Sequence, residues 1–253
     1  MSCWILLRGL TREARHWGGL PELLVSRLDG ARIAVLDLPG NGVRCRERSP
    51  ASIETMVAAC RETLDATGQE PPYFLAGMSL GAMVAMAWAS SHADEVGGVV
   101  LINSSSRSLS AWHQRLRWRQ IPALLRIVAT RDAFARERRV LRLTTHHPPQ
   151  PEMPLLASWV AWRRQHPVSG ANATRQLLAA ARFRGPDTLE PVPSLVLASE
   201  KDALVDPACS VALASAWGAD LRVHPTAGHD LPLDDGAWVA EQVRAWWLSL
   251  VPD

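Results

Sequence analysis

The sequence predicts an α/β fold built on a mostly parallel sheet of about six strands flanked by helices. Short apolar runs recur at residues 3–7, 32–36, 73–76, 98–102, 194–198 and 220–223, each bounded by turn residues. They are nearly all apolar instead of alternating with polar residues, the pattern of strands covered on both faces. Helix-compatible stretches lie between them at 17–28, 52–67, 80–91, 207–217 and 235–250. Strands that alternate with helices imply right-handed crossovers and hence parallel pairing. The chain has 253 residues, 47% of them hydrophobic and 21% charged. That is enough to bury a substantial core, and it excludes a disordered chain.

The elements follow in order. The first strand starts at residue 3, so no antiparallel hairpin is expected ahead of it. The second strand runs into the turn-rich Leu36-Asp37-Leu38-Pro39-Gly40-Asn41-Gly42. The third, at 73–76, leads through Gly77-Met78-Ser79-Leu80-Gly81 into the helix at 80–91. The alternation fails between Asn103 and about Gly185. That region holds no convincing strand, but it contains helical stretches such as 109–128, 133–143 and 155–165. It reads as a helical cap (107–185) inserted before the last two strands of a core formed by 1–106 and 186–253. The cap carries fifteen arginines against three acids (Asp132, Glu137 and Glu152), a net of +12, while the rest of the chain carries −10. Lys201 is the only lysine. Within the cap, Arg136, Arg138 and Arg139 stand out as a cluster, and Trp112, Trp118, Leu124, Trp159 and Trp162 are expected to line or cover a pocket.

Several classes receive no support. No apolar run approaches the roughly eighteen residues of a membrane span, and the first residues do not read as a signal peptide. Cys3, Cys45, Cys60 and Cys209 form neither a CxxC pair nor a dense framework, so free thiols in a reducing cytoplasm are expected, with no metal site. No glycine-rich phosphate loop follows a strand, and no cofactor is expected. The overall charge of +2 calls for no polyanion. Neither nucleic acid nor a membrane is expected as a partner.

The chemistry sits at Ser79. A GxSxG sequence after an apolar strand and before a helix is the setting of a nucleophile elbow. There the serine takes a strained turn, and only small neighbours two residues either side leave room for strand and helix to approach. A serine nucleophile needs a base, and the base needs an orienting acid. His229, in Ala227-Gly228-His229-Asp230, follows the last strand and precedes the last helix, where a base can reach over the sheet edge. His224 ends the strand itself. Asp202 follows the run at 194–198. Glu200 lies close to the strand end, and Asp206 before Pro207 reads as a helix N-cap. The corresponding place after the preceding strand holds Asn103-Ser104-Ser105-Ser106, without a carboxylate.

With these residues in order, the sequence resembles the α/β-hydrolase fold superfamily from Trp4 to the C-terminal helix. Residues 36–42 resemble its D-x-P-G-x-G loop, and residues 8–17 align with its HG-x-G…W oxyanion loop. Gly9 and Trp17 match, whereas Arg8 stands in place of the usual His and Thr11 in place of the second Gly. The resemblance implies a Ser79–His229–Asp202 triad with the backbone N–H groups of Leu10 and Leu80 as oxyanion donors. It implies hydrolysis of a carboxylic ester or thioester through an acyl-enzyme. The layout also resembles biotin-pathway esterases that cleave methyl esters from acyl chains on acyl-carrier protein, which implies an acidic carrier at the arginine-rich cap. A weaker resemblance to menaquinone-pathway synthases would imply a lyase that uses the triad to abstract a proton. Those enzymes carry an arginine soon after the elbow, where this chain has Ala82-Met83-Val84. A non-catalytic binding protein on the same fold is the third alternative.

Overall fold

A computed structural model describes residues 2–250. Six strands, β1 (Cys3–Leu7), β2 (Arg32–Leu36), β3 (Tyr73–Met78), β4 (Val96–Ile102), β5 (Ser194–Ser199) and β6 (Asp220–His224), form one sheet in the order β2-β1-β3-β4-β5-β6. Every neighbouring pair is parallel. Five helices pack on the sheet: α1 (Leu20–Arg27), α2 (Ile53–Asp65), α3 (Leu80–Ser91), α9 (Pro207–Trp217) and α10 (Leu231–Leu250). Five more lie between β4 and β5: α4 (Trp112–Arg115), α5 (Ile121–Ala129), α6 (Ala133–Thr144), α7 (Glu152–Gln165) and α8 (Gly170–Arg182).

The apolar runs have the expected cause. Successive strand residues point to opposite faces, and both faces are buried. Ile5, Leu7, Leu75, Val99, Leu101 and Val196 pack with residues of α2, α3 and α9. Trp4, Leu6, Ala76, Val100, Ile102 and Leu197 pack on the other side with α1 and α10. The outer strands β2 and β6 are only partly covered, as sheet edges are.

Helix boundaries differ from the sequence reading mainly in the inserted region. The expected helix at 109–128 is broken into α4, a short 3₁₀ turn at Trp118–Gln120 and α5. The first break is at the extended Leu116, where the Arg117 N–H donates to the Leu204 carbonyl instead of to a helix. Pro122 accounts for the restart at α5, since it cannot donate to a preceding turn and so sits in the first turn of a new helix. The last helix starts at 235 as expected: the non-helical Asp235 marks a kink that separates it from a short helical turn at Leu231, and its carboxylate accepts from the Trp238 N–H at 2.9 Å. Helix α8 was not among the stretches named from periodicity. Ser169 caps it, its hydroxyl accepting from the Asn172 N–H at 3.1 Å. Helices α6 and α7 share a small apolar core of Leu141, Leu156 and Trp159.

Candidate active site

The elbow forms where β3 meets α3. Ser79 adopts φ 54°, ψ −114°, a left-handed conformation that a side chain tolerates only when its surroundings hold it. Its N–H donates to the Ile102 carbonyl at 2.9 Å and its carbonyl accepts from Ser104 Oγ at 2.9 Å, so β4 holds the turn from one side. The flanking glycines are sterically required. A Cβ on Gly81 would lie 2.0 Å from the Leu7 carbonyl oxygen, and one on Gly77 would lie 2.5 Å from Ala82 Cα. Leu80 opens α3, so its N–H is among the first-turn donors that have no intrahelical acceptor.

His229 and Asp202 meet at the same sheet edge. Nδ1 of His229 lies 2.7 Å from Asp202 Oδ2, and both residues are buried. The other oxygen of Asp202 accepts from the N–H groups of Leu204 and Val205 at 2.8 and 2.9 Å. These bonds fix the orientation of the carboxylate. Glu200 is exposed, and Asp206 caps α9 by accepting from the Ala208 N–H at 3.0 Å. His224 is turned inward. Its Nδ1 accepts from the N–H groups of Thr226 and Ala227, shaping the turn that carries His229.

The His229 pKa is raised above its ordinary value. Burial, the largest influence, opposes the charged form, and nearby Arg8 opposes it too. The charge and hydrogen bond of Asp202, together with the charge of Asp230, outweigh them.

The loop at 8–17 departs from the superfamily pattern in two places, and the structure accounts for both. Arg8 is buried and forms a two-pronged pair with Asp230, Nη1–Oδ1 3.1 Å and Nη2–Oδ2 2.7 Å. Its guanidinium also stacks 4.9 Å from the Trp17 ring. Arg8 directly precedes Gly9, and Asp230 directly follows His229, so the pair ties the loop at 8–17 to the loop that carries His229. Thr11 takes φ 57°, the conformation glycine supplies cheaply. Its N–H donates to Gln176 Oε1 of α8 at 2.9 Å. Gln176 Nε2 in turn reaches Asn41 Oδ1 at 2.8 Å and Ser49 Oγ at 3.0 Å. The strained turn is thus held by α8 and by the loop after β2. Gly9 abuts Ser79, since a Cβ there would stand 3.4 Å from Ser79 Cβ. Leu10 follows with its side chain on the surface.

Sequence reasoning missed Arg8–Asp230, Gln176 and Asn103. Asn103, in the place that lacks a carboxylate, has φ 46° and donates to the His229 carbonyl at 2.8 Å. It also accepts from the Ser199 N–H at 2.8 Å. The only signals for these residues were the arginine in place of histidine and an asparagine closing a strand.

The cap closes on the core through charge and rings. Glu137 of α6 is buried and pairs with Arg12 at 2.9 Å and with Arg163 at 3.1 Å. Trp159 and Trp162 pack on His16. Trp159 and Trp162 therefore fill the seam, whereas Trp112 and Trp118 are exposed and Leu124 is half-buried. A recess at this seam is lined by Thr11, Arg12, His16, Glu137 and Trp159 among others. The expected arginine cluster is also partly committed. Arg136 donates to the Thr130 and Val128 carbonyls at 2.8 and 3.0 Å, and Arg138 lies over Phe134. Among the described residues no group of three or more His, Cys, Asp or Glu side chains is clustered as metal ligands would be, and the four cysteines are unpaired.

The model of the alpha/beta hydrolase family matches residues 4–242. The chain belongs to this family. No curated protein matches. Among solved structures, the alpha/beta hydrolase chain is similar to a protein from Acinetobacter baumannii AYE described as a lipase. Identity is 20%, the TM-score is 0.80, and the match covers 98% of this chain and 84% of that one. It is similar to an esterase from Thermogutta terrifontis at 22% identity and TM-score 0.69, covering 99% and 90%. The enol-lactonase of Burkholderia xenovorans LB400 matches at 20% identity and TM-score 0.73, covering 98% and 91%. At these identities the likeness is one of fold. Family and fold together make this chain a hydrolase.

Proposed function

We propose that this hydrolase is a serine carboxylesterase in which Ser79, His229 and Asp202 form the triad. The observation that carries the reading is the elbow conformation of Ser79 at the sheet edge where the buried His229–Asp202 pair stands at 2.7 Å. Ser79 Oγ attacks the acyl carbonyl carbon while His229 Nε2 removes its proton. Asp202 accepts from Nδ1–H, keeping the reactive tautomer and stabilising the imidazolium that forms. The N–H groups of Leu10 and Leu80 receive the oxyanion. Collapse of the intermediate returns the proton to the departing alcohol. Water, deprotonated by His229, then releases the acid from the acyl-enzyme. No step draws on a cofactor. Esterase and lactonase activities named for the structural relatives agree with this class of bond.

A methyl ester on an acidic carrier is the narrower form of the reading. Its support is the nine cap arginines that remain exposed. The free thiols agree with a cytoplasmic setting, and no helix among the described residues is long and apolar enough to cross a membrane.

The test is a panel of p-nitrophenyl esters of increasing acyl length, run beside a carrier-linked methyl ester. Ser79→Ala should lose ester hydrolysis by several powers of ten, and a fluorophosphonate should label Ser79 alone. Activity of Ser79→Ala within a few-fold of the parent would overturn the assignment. Labelling of Ser79 without hydrolysis of any ester would favour proton-abstraction chemistry on the same triad.

A further inference from the structure

Helix α5 is inverted relative to an ordinary surface helix. None of its residues is buried. Its solvent side presents Ile121, Pro122, Leu125, Val128 and Ala129, and Trp118 precedes it in line. Exposure reaches 56% at Trp118, 63% at Leu125 and 75% at Val128. The spacing of 118, 121, 125 and 128 is that of one helical stripe. A surface helix normally turns such a stripe inward. An apolar stripe facing water marks a surface meant to be covered.

The charges around the stripe say by what. Arg119, Arg126 and Arg131 are exposed at its two ends and flank, and no acid occurs from residue 107 to residue 131. A second copy of the chain would bring one +12 cap against another. An acidic protein would pair with Arg119, Arg126 and Arg131 but, being rich in charge, would leave the aliphatic stripe between them without an apolar counterpart. An anionic lipid surface satisfies both parts. The aliphatic side chains enter the acyl boundary, Trp118 sits at headgroup level, and the arginines stay at the phosphates.

We propose that the Trp118–Ile121–Leu125–Val128 stripe with Arg119, Arg126 and Arg131 is a docking surface for an anionic lipid bilayer. Docking lies in the membrane plane and needs no spanning segment. It therefore departs from the expectation of no membrane partner, which rested on the lack of such a segment. Arg136 supports the arrangement by binding the carbonyls at the end of α5. The helix is so held from its own C-terminus while its outer face stays free.

The test is co-sedimentation of the whole protein with phosphatidylcholine vesicles, with and without phosphatidylglycerol. This readout does not depend on the triad. The protein should bind the anionic vesicles and not the neutral ones, and added salt should release it. The Leu125→Glu/Val128→Glu variant, checked for fold by circular dichroism, should lose about tenfold or more in partitioning. Leu125→Ile should keep it. Arg119→Gln/Arg126→Gln should weaken binding most at low salt. Equal binding by the Leu125→Glu/Val128→Glu variant would mean general attraction to a basic cap and would overturn the proposal. So would capture of an acidic acyl-carrier protein without any vesicle binding, or a dimer that the same variant dissolves.

Discussion

His229 stands between opposing charges, and its titration should report each of them. Asp230 favours the imidazolium and Arg8 opposes it. A base must be neutral to take the Ser79 proton, so the acid limb of kcat/KM should lie above the ordinary histidine value. Asp230→Asn removes an anion and should move that limb to lower pH. Arg8→Met removes a cation and should move it to higher pH. Breaking a buried pair costs about 3–5 kcal/mol, so both single variants should also melt earlier. The Arg8→Met/Asp230→Asn double variant should restore both limb and melting temperature in part. Limbs that shift in the same direction for the two single variants would show that charge is not the cause. At the same scale, Asp202→Asn should cut kcat far more than Asp206→Asn. Asp202 holds Nδ1 of the base, and Asp206 holds the first turn of α9.

Among the elements, α8 connects the cap to the chemistry through one side chain. Gln176→Leu would leave the Thr11 N–H, Asn41 Oδ1 and Ser49 Oγ without this partner. Each buried polar group so stranded costs about 1–3 kcal/mol. The expected result is a lowered melting temperature with kcat falling more than KM rises, because Gln176 holds Thr11 in the turn next to Leu10, the proposed oxyanion donor. Unchanged kcat in a stable Gln176→Leu variant would separate α8 from the oxyanion loop. None of this was legible beforehand. Thr11 and Gln176 are 165 positions apart and Arg8 and Asp230 are 222 apart, and polar pairs leave no periodic trace. The strands were legible because burial on both faces removes polar residues from them altogether. The elbow was legible because its two glycines are sterically compelled. Helix α5 misled for a related reason. Helical spacing reports that an apolar stripe exists, but not whether it faces the core or solvent, and it does not register the restart that Pro122 imposes.

At the scale of the whole molecule, residues 107–185 carry +12 against −10 on the rest, yet the most buried ion pair between them reverses those signs. The buried acid Glu137 belongs to the cap and its partner Arg12 to the core. His16 lies in the middle of this seam, against Trp159 and Trp162. Burial and the neighbouring Arg12, Arg8 and Arg15 hold its pKa well below 6.5, although its bond with the Glu13 backbone pulls the other way. A neutral folded imidazole that becomes protonated on unfolding makes stability fall as pH drops below about 6.5. The slope is at most about 1.4 kcal/mol per pH unit for one proton. His229 acts oppositely. Its raised pKa gives a contribution that is complete below about 6.5 and is lost as pH rises through the folded value. Thermal unfolding followed from pH 7 downward should therefore show a shallower decline in His16→Gln than in the parent, whatever the two absolute melting temperatures. His229→Gln should instead flatten the alkaline side. Because the tryptophans of α7 lie on His16, near-ultraviolet circular dichroism should register loosening of the cap before the far-ultraviolet signal of the sheet changes. Coincident loss of both signals in acid would mean that the seam and the sheet open as one unit, and that the proton enters only after global unfolding.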